Sequence, residues 1–379
     1  MSTTAASEES PCLLRLLASG GRASALRRLL DSHASAEAAL AAGPRDWASH
    51  GLDAEACNAI RNPDTDAMMR GERWLQAPDR HLIGWRDADY PPLLRRIPGP
   101  PAMLFVAGNP ALLWQPAVAI VGSRAATAGG CANAATFATA LAGAGLCIAS
   151  GLAAGIDAAA HRATLDAGGA TVAVLGTGPD IAYPARHRPL LDRIAAEGAV
   201  VSEHLPGTQA LKQHFPSRNR ILAGLSLGTL VVEAAERSGA LITARLAADA
   251  GREVFALPGS IHNPMARGCH RLLREGATLA ETPAELLAVL GPVAADLARA
   301  LRGELGAPIA VVEPTAEPAV LPDPDYNRLW QALGHDPTGM DELAERTGLT
   351  AAALSSMLLA LELEGRVAAQ HGRYCRIGV

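Results

Sequence analysis

Residues 117–130 read Ala-Val-Ala-Ile-Val-Gly-Ser-Arg-Ala-Ala-Thr-Ala-Gly-Gly. Five apolar residues suit a strand buried on both faces. Gly122-Ser123-Arg124 makes the turn, and Gly129-Gly130 opens a helix. The pattern repeats in both directions. Short, mostly apolar runs fall at 103–107, 146–150, 171–175, 199–202, 229–232 and 253–256. Most are separated by a dozen or more residues of Ala-rich, helix-forming sequence, the length a parallel crossover requires. This βαβ alternation over residues 81–291 predicts an α/β fold: an extended Rossmann-like, mostly parallel sheet with helices on both faces.

The flanks read differently. Residues 1–80 predict a small helical domain of the SAM or helix-hairpin kind. Leu13, Leu14, Leu16 and Leu17 begin one helix, and Ala25, Leu26, Leu29 and Leu30 suit another. Residues 292–322 are rich in Ala, Pro and Glu and read as a linker. Residues 323–379 predict three helices and a short hairpin, the layout of a winged-helix domain. Its expected recognition helix, residues 350–361, contains neither Lys nor Arg, and Glu362 and Glu364 follow it. Such a surface repels duplex phosphates and suits a protein partner.

Composition narrows the function. The 379 residues carry 33 basic and 38 acidic side chains, a net charge of −5, which excludes a polybasic binder but not a local basic groove. The six cysteines form no CxxC pair, which disfavours a zinc or redox site and fits a reducing cytoplasm. No uninterrupted apolar run is long enough to span a membrane, and the N-terminus lacks the pattern of a secretory signal. Lys212 is the sole lysine of the chain, and it stands beside the densest basic cluster.

Four segments carry the chemistry. At Gly122-Ser123-Arg124, glycine lets an anion approach the backbone, the next helix offers free N–H groups, and Arg124 could clamp a phosphate. The alternative is a tight turn with an exposed arginine. No strict G-x-G-x-x-G is present, and the next strand ends in Ser150-Gly151 rather than an acid that would hold a ribose, so the dinucleotide fingerprint is incomplete. In the second segment, 150–161, Gly151 and Gly155 precede a helix on which Asp157 and His161 stand four residues apart and could touch. Without a third ligand, this reads as a structural pair at a helix start. The third, Lys212-Gln-His-Phe-Pro-Ser-Arg-Asn-Arg220, interleaves three permanent cations with one of only four Phe in the chain. Cations for phosphates and a ring for a base are what a single-strand binder needs. In the fourth, Glu233 closes a strand on the same carboxyl edge. It could be catalytic, or it could orient neighbouring arginines or amides.

Taken in order, these segments resemble the DNA-processing protein A family (DprA, also called Smf). The matches are Tyr90-Pro-Pro-Leu-Leu with Pro100-Pro101, Val121-Gly-Ser-Arg, Ser150-Gly-Leu-Ala-Ala-Gly-Ile-Asp, Leu175-Gly-Thr-Gly-Pro-Asp with Tyr183-Pro184, Ser202-Glu203, Phe215-Pro-Ser-Arg-Asn-Arg, Glu233-Ala-Ala-Glu-Arg-Ser-Gly and Gly251-Arg-Glu-Val-Phe-Ala-Leu-Pro-Gly. The resemblance implies a homodimer that binds and protects single-stranded DNA without hydrolysing it, and helps load the RecA recombinase in natural transformation. It implies a DNA pocket of Gly122, Ser123, Arg124, Lys212, Phe215, Arg218, Asn219 and Arg220, to which Gly151 on the same edge is added. No catalytic residue, metal or cofactor is expected. Where similar proteins usually have Gly-Thr/Cys-Asn, this chain has Gly268-Cys269-His270, so any role carried over to that position is in doubt. The competing readings are a nucleotide-processing enzyme of phosphoribohydrolase type, whose Pro-Gly-Gly-x-Gly-Thr loop is missing, and a nicotinamide-dependent oxidoreductase, whose ribose carboxylate is missing.

Overall fold

The computed structural model describes residues 3–305, 324–334, 337–364, 366–370 and 372–376. Its centre is a nine-stranded sheet, formed by β1 (Arg80–Gly84), β2 (Met103–Gly108), β3 (Ala117–Val121), β4 (Cys147–Ser150), β5 (Thr171–Leu175), β6 (Ala199–Ser202), β7 (Gly228–Val231), β8 (Glu253–Ala256) and β9 (Thr278–Leu279). The order is β1-β2-β6-β5-β4-β3-β7-β8-β9. Strands β6 to β9 in that row are parallel, whereas β1 and β2 add an antiparallel margin. The chain lays β3 to β6 outward in one direction, returns, and lays β7 to β9 on the other side of β3. The order therefore reverses at β3 and β7, and a crevice opens beyond their carboxyl ends.

Six helices, α1 (Thr3–Ala18), α2 (Ala23–Ser32), α3 (Ala36–Ala41), α4 (Pro44–Ser49), α5 (Ala54–Arg61) and α6 (Thr65–Leu75), precede the sheet. They bury Leu13, Leu14, Leu16, Leu26 and Leu29 together with Leu82, Met103 and Phe105 of β1 and β2, so this unit shares a core with the sheet margin. The helices of the sheet proper are α7 (Pro92–Arg95), α8 (Ala128–Gly143), α9 (Ile156–Asp166), α10 (Arg188–Glu197), α11 (His214–Leu225), α12 (Gly239–Asp249), α13 (Arg267–Arg274) and α14 (Pro283–Leu305). Strand alternation assigns them to faces. Val118 and Ile120 pack with Phe137, Leu141 and Ile156 of α8 and α9, whereas Ala119 and Val121 pack with Ile221, Leu222 and Ala244 of α11 and α12. The helices following β3 and β7 thus leave the sheet on opposite faces.

Helix α14 corrects the expected linker. It continues through residues 292–305, past Pro292, because Leu286, Leu290 and Ala294 form one stripe that is buried against the sheet. The remainder of the expected linker, 306–322, lies outside the described residues. Beyond it, α15 (Pro324–Ala332), β10 (Thr338–Gly339), α16 (Met340–Thr347), α17 (Ala351–Leu363), β11 (Val367–Gln370) and β12 (Arg373–Arg376) form a winged helix around Leu329, Leu333, Leu343, Leu354, Leu358 and Leu361. Its sheet runs β10-β12-β11. No helix among the described residues is long and apolar enough to cross a membrane.

Candidate nucleic-acid interface

Three turns meet above the carboxyl edge of the sheet, and glycines let them approach. Gly155, at φ +76°, lies where a Cβ would stand 2.2 Å from the Ser123 carbonyl oxygen, and a Cβ on Gly122 would stand 2.5 Å from Ile156. The turns after β3 and β4 therefore interlock at a distance only glycine permits. Ser123 is buried. Its N–H donates to the Glu233 carbonyl (2.7 Å), and its Oγ accepts from the Ala125 N–H (3.1 Å). Arg124 projects from this knot into solvent.

The crevice itself is filled by the protein. Glu233, 7% exposed at the end of β7, accepts the Thr127 N–H (2.9 Å) and the Thr127 hydroxyl (2.6 Å). Thr127 in turn accepts the Gly130 N–H (2.9 Å) as the N-cap of α8. The helix end at which a Rossmann fold holds a pyrophosphate is thus occupied by the chain's own carboxylate. Of the two roles open to Glu233, the structure gives it the orientation of backbone amides. Asp157 caps the next turn in the same way, accepting from the N–H groups of Gly151 (3.1 Å) and Ala153 (3.3 Å). Burial raises its pKa above the usual carboxylate value, and Arg218 opposes that rise. His161 has no bond with Asp157. Its Nδ1 pairs with Thr171 Oγ1 (2.7 Å), and burial pushes its pKa down to about 3, so the ring is neutral. Because the Thr171 hydroxyl already donates to the Ile148 carbonyl, Nδ1–H is the donor of that pair. Both side chains are buried and bonded to other partners, so the expected contact between them does not form. Glu233→Ala should therefore lower stability by about 1–3 kcal/mol, because two Thr127 donors lose their acceptor. Thermal unfolding measures this, and an unchanged melting temperature would contradict the assignment.

The third segment divides. Helix α11 begins at His214, with Pro216 in its first turn, where a missing N–H is tolerated. Arg218 is 5% exposed, contrary to the expectation that it offers a free cation. Its Nη1–H donates to the Val174 carbonyl (2.7 Å), and its guanidinium lies against Gly151, where a Cβ would stand 1.6 Å from Nη1. Its charge compensates the buried Asp157. Asn219 is also buried, with its amide towards the Gly239 carbonyl (3.5 Å). Arg220 forms a half-buried ion pair with Glu203, a counter-ion that sequence reasoning did not assign to it. Lys212 and Arg124 are exposed, and neither has a carboxylate partner among the described residues. Phe215 is half-buried beneath Arg124, whose Cζ lies 5.1 Å from the ring centroid, and the Tyr183 ring centroid stands 5.2 Å from that of Phe215. The segment thus supplies a ring and one exposed cation, Lys212, above the buried Arg218 and the paired Arg220. His270 is half-buried, with Nε2 2.9 Å from the Gly259 carbonyl oxygen.

Among the described residues, one group could offer three ligand atoms to a cation: His33, Asp46 and His50 in the helical unit, where Asp46 Oδ2 lies 2.8 Å from His33 Nε2 and 3.4 Å from His50 Nδ1.

Residues 81–291 match the family model of DNA recombination-mediator protein A, and residues 313–373 match that of the DprA winged helix domain. Protein Smf of Escherichia coli is 42% identical over 306 residues, which span 80% of this chain and 79% of that protein. The DNA processing protein DprA of Streptococcus pneumoniae is 46% identical over 226 residues, 57% of this chain and 80% of that one. The X-ray structure of the pneumococcal protein superposes with a TM-score of 0.66 at 39% identity, covering 73% of this chain and 96% of that one. A structure of Helicobacter pylori DNA processing protein A, described for its single-stranded DNA binding mode, gives a TM-score of 0.51 at 28% identity, covering 55% and 95% of the two chains.

Proposed function

Since this chain belongs to the DNA recombination-mediator protein A (DprA/Smf) family, we propose that it binds single-stranded DNA in the groove formed by the turns after β3, β4 and β5 and the start of α11, and that it does so without catalysis. The observation that carries this reading is the exposed cation pair Arg124 and Lys212 beside the Phe215 ring, in a chain of net charge −5. Phosphates meet the cations, and a splayed base stacks on the ring. Duplex DNA keeps its bases stacked inside and offers no such face. Gly122, Ser123 and Gly151 let the turns close up. Arg218 and Asn219 serve from beneath, Arg218 as the support of the groove floor, and Arg220 reaches a phosphate once its pair with Glu203 opens.

The non-catalytic part of the proposal rests on the same geometry. Asp157, His161 and Glu233, the acid–base candidates of the strand-end segments, are buried and committed to partners within the fold. The wider role we propose is protection of incoming single strands in natural transformation, by a dimer that helps load the RecA recombinase in the cytoplasm. The winged helix is proposed to meet protein rather than duplex, because α17 carries no basic residue and leaves Leu359 58% exposed.

Phe215→Ala should weaken single-strand binding by about 1–3 kcal/mol, the worth of one stacked base. Fluorescence anisotropy with a labelled oligonucleotide measures it. Unchanged binding with a lowered melting temperature would make the ring a piece of core.

A further inference from the structure

We propose that Tyr183 is a second base-stacking surface of the single-strand groove, so that Phe215 and Tyr183 each receive one base. The inference rests on the groove assigned above. Tyr183 is 44% exposed, and its hydroxyl has no partner among the described residues. A single exposed aromatic ring is ordinary at a protein surface. What distinguishes this one is where it stands and how firmly it is held. Its centroid lies 5.2 Å from that of Phe215 with the planes tilted by 45°, so the two rings touch without stacking on one another. A tilted pair leaves each ring free to present a face, and the Arg124 guanidinium lies 5.1 Å from the Phe215 centroid.

The loop that carries Tyr183 is built rather than loose. The Thr177 hydroxyl donates to the Ile181 carbonyl (2.6 Å), and the Ile181 N–H returns to the Gly178 carbonyl (3.1 Å). The Gly178 N–H donates to the Thr208 carbonyl (2.9 Å), and Asp180 accepts the Gly207 N–H (2.8 Å). These last two bonds stitch the Tyr183 loop to the segment that leads into Lys212. The loop is therefore fixed in register with the segment that carries Lys212 and Phe215, and Tyr183 stands on it 44% exposed. A single strand whose phosphates follow Arg124 and Lys212 would bring successive bases over the two rings, a sequence-tolerant arrangement because every base has a π-face.

The test compares the full chain with its Tyr183→Ala, Tyr183→Phe and Tyr183→Leu variants. Anisotropy is measured with an oligothymidylate and with an abasic strand of equal length. The inference expects Tyr183→Ala and Tyr183→Leu to lose about five-fold or more on oligothymidylate, Tyr183→Phe to bind as the parent, and all four proteins to bind the abasic strand equally. The leucine variant keeps apolar bulk without a π-face, so it decides the matter if the alanine variant folds poorly. Parent-like binding by both variants, or equal losses on both strands, overturns the inference. Phe215→Ala and Arg124→Ala run in parallel separate the two levels: if they weaken binding while Tyr183→Leu does not, the groove stands and the second platform falls. If neither has any effect, the groove itself is misplaced and the platform falls with it.

Discussion

Replacing Arg218 by alanine should destabilise the central domain by about 3 kcal/mol and abolish single-strand binding only as far as the fold is lost. The guanidinium is enclosed, donates to the Val174 carbonyl at the end of β5 and supports the turn at Gly151. Removing it takes away a charge-assisted hydrogen bond, worth about 1.5–3 kcal/mol, and leaves the Val174 carbonyl without that donor. It also leaves Asp157, whose pKa burial already raises, without its compensating cation. Asp157 is not in direct contact with Arg218, so its share is the smaller. Urea unfolding followed by circular dichroism would show an earlier midpoint. An Arg218→Ala protein with the parent's midpoint but no affinity for DNA would instead place Arg218 on the phosphates and undo the division of α11 into exposed and supporting cations.

The opposite pattern is expected of Arg124 and Lys212. Both are exposed and without a carboxylate partner among the described residues, so their loss should leave unfolding unchanged. Each removes one phosphate contact, which lowers the slope of log K against log salt by about 0.7 to 1. Each should weaken binding on the order of ten-fold at low salt, the scale of one charge-assisted hydrogen bond, and the double variant about a hundred-fold. A salt slope that is the same in the parent and the double variant would contradict phosphate contact by either residue.

Much of this architecture was legible in the chain. The apolar runs at 103–107, 117–121, 171–175, 199–202 and 253–256 fall on strands β2, β3, β5, β6 and β8, because strands covered on both faces are mostly apolar and so declare themselves. Margin strands give no such signal: β1 reads Arg-His-Leu-Ile-Gly and β9 is two exposed residues. Residues 292–305 read as linker because Ala, Pro and Glu dominate 292–322, yet the stripe Leu286, Leu290 and Ala294 gains enough by burial to carry helix α14 past Pro292. The groove was legible as a cluster of residue types, but its depth was not. A basic residue in a sequence looks the same whether it faces water or a buried carboxylate. Only the meeting of the turns after β4 and β5 shows that Arg218 lies under Gly151 while Lys212 stands outside. The partners of Asp157 and His161 were hidden for the same reason. Spacing along a helix allowed them to touch, but loop amides and a neighbouring strand claimed them first.

The central claim is that this chain grips unpaired nucleotides through cations and rings. It is tested most directly by titrating the full chain, free of nucleotide and metal, against a labelled single strand and a blunt duplex of the same length, at two salt concentrations. The account predicts a clear preference for the single strand, little dependence on its sequence, and affinity that falls steeply with salt. Equal affinity for the duplex would contradict it.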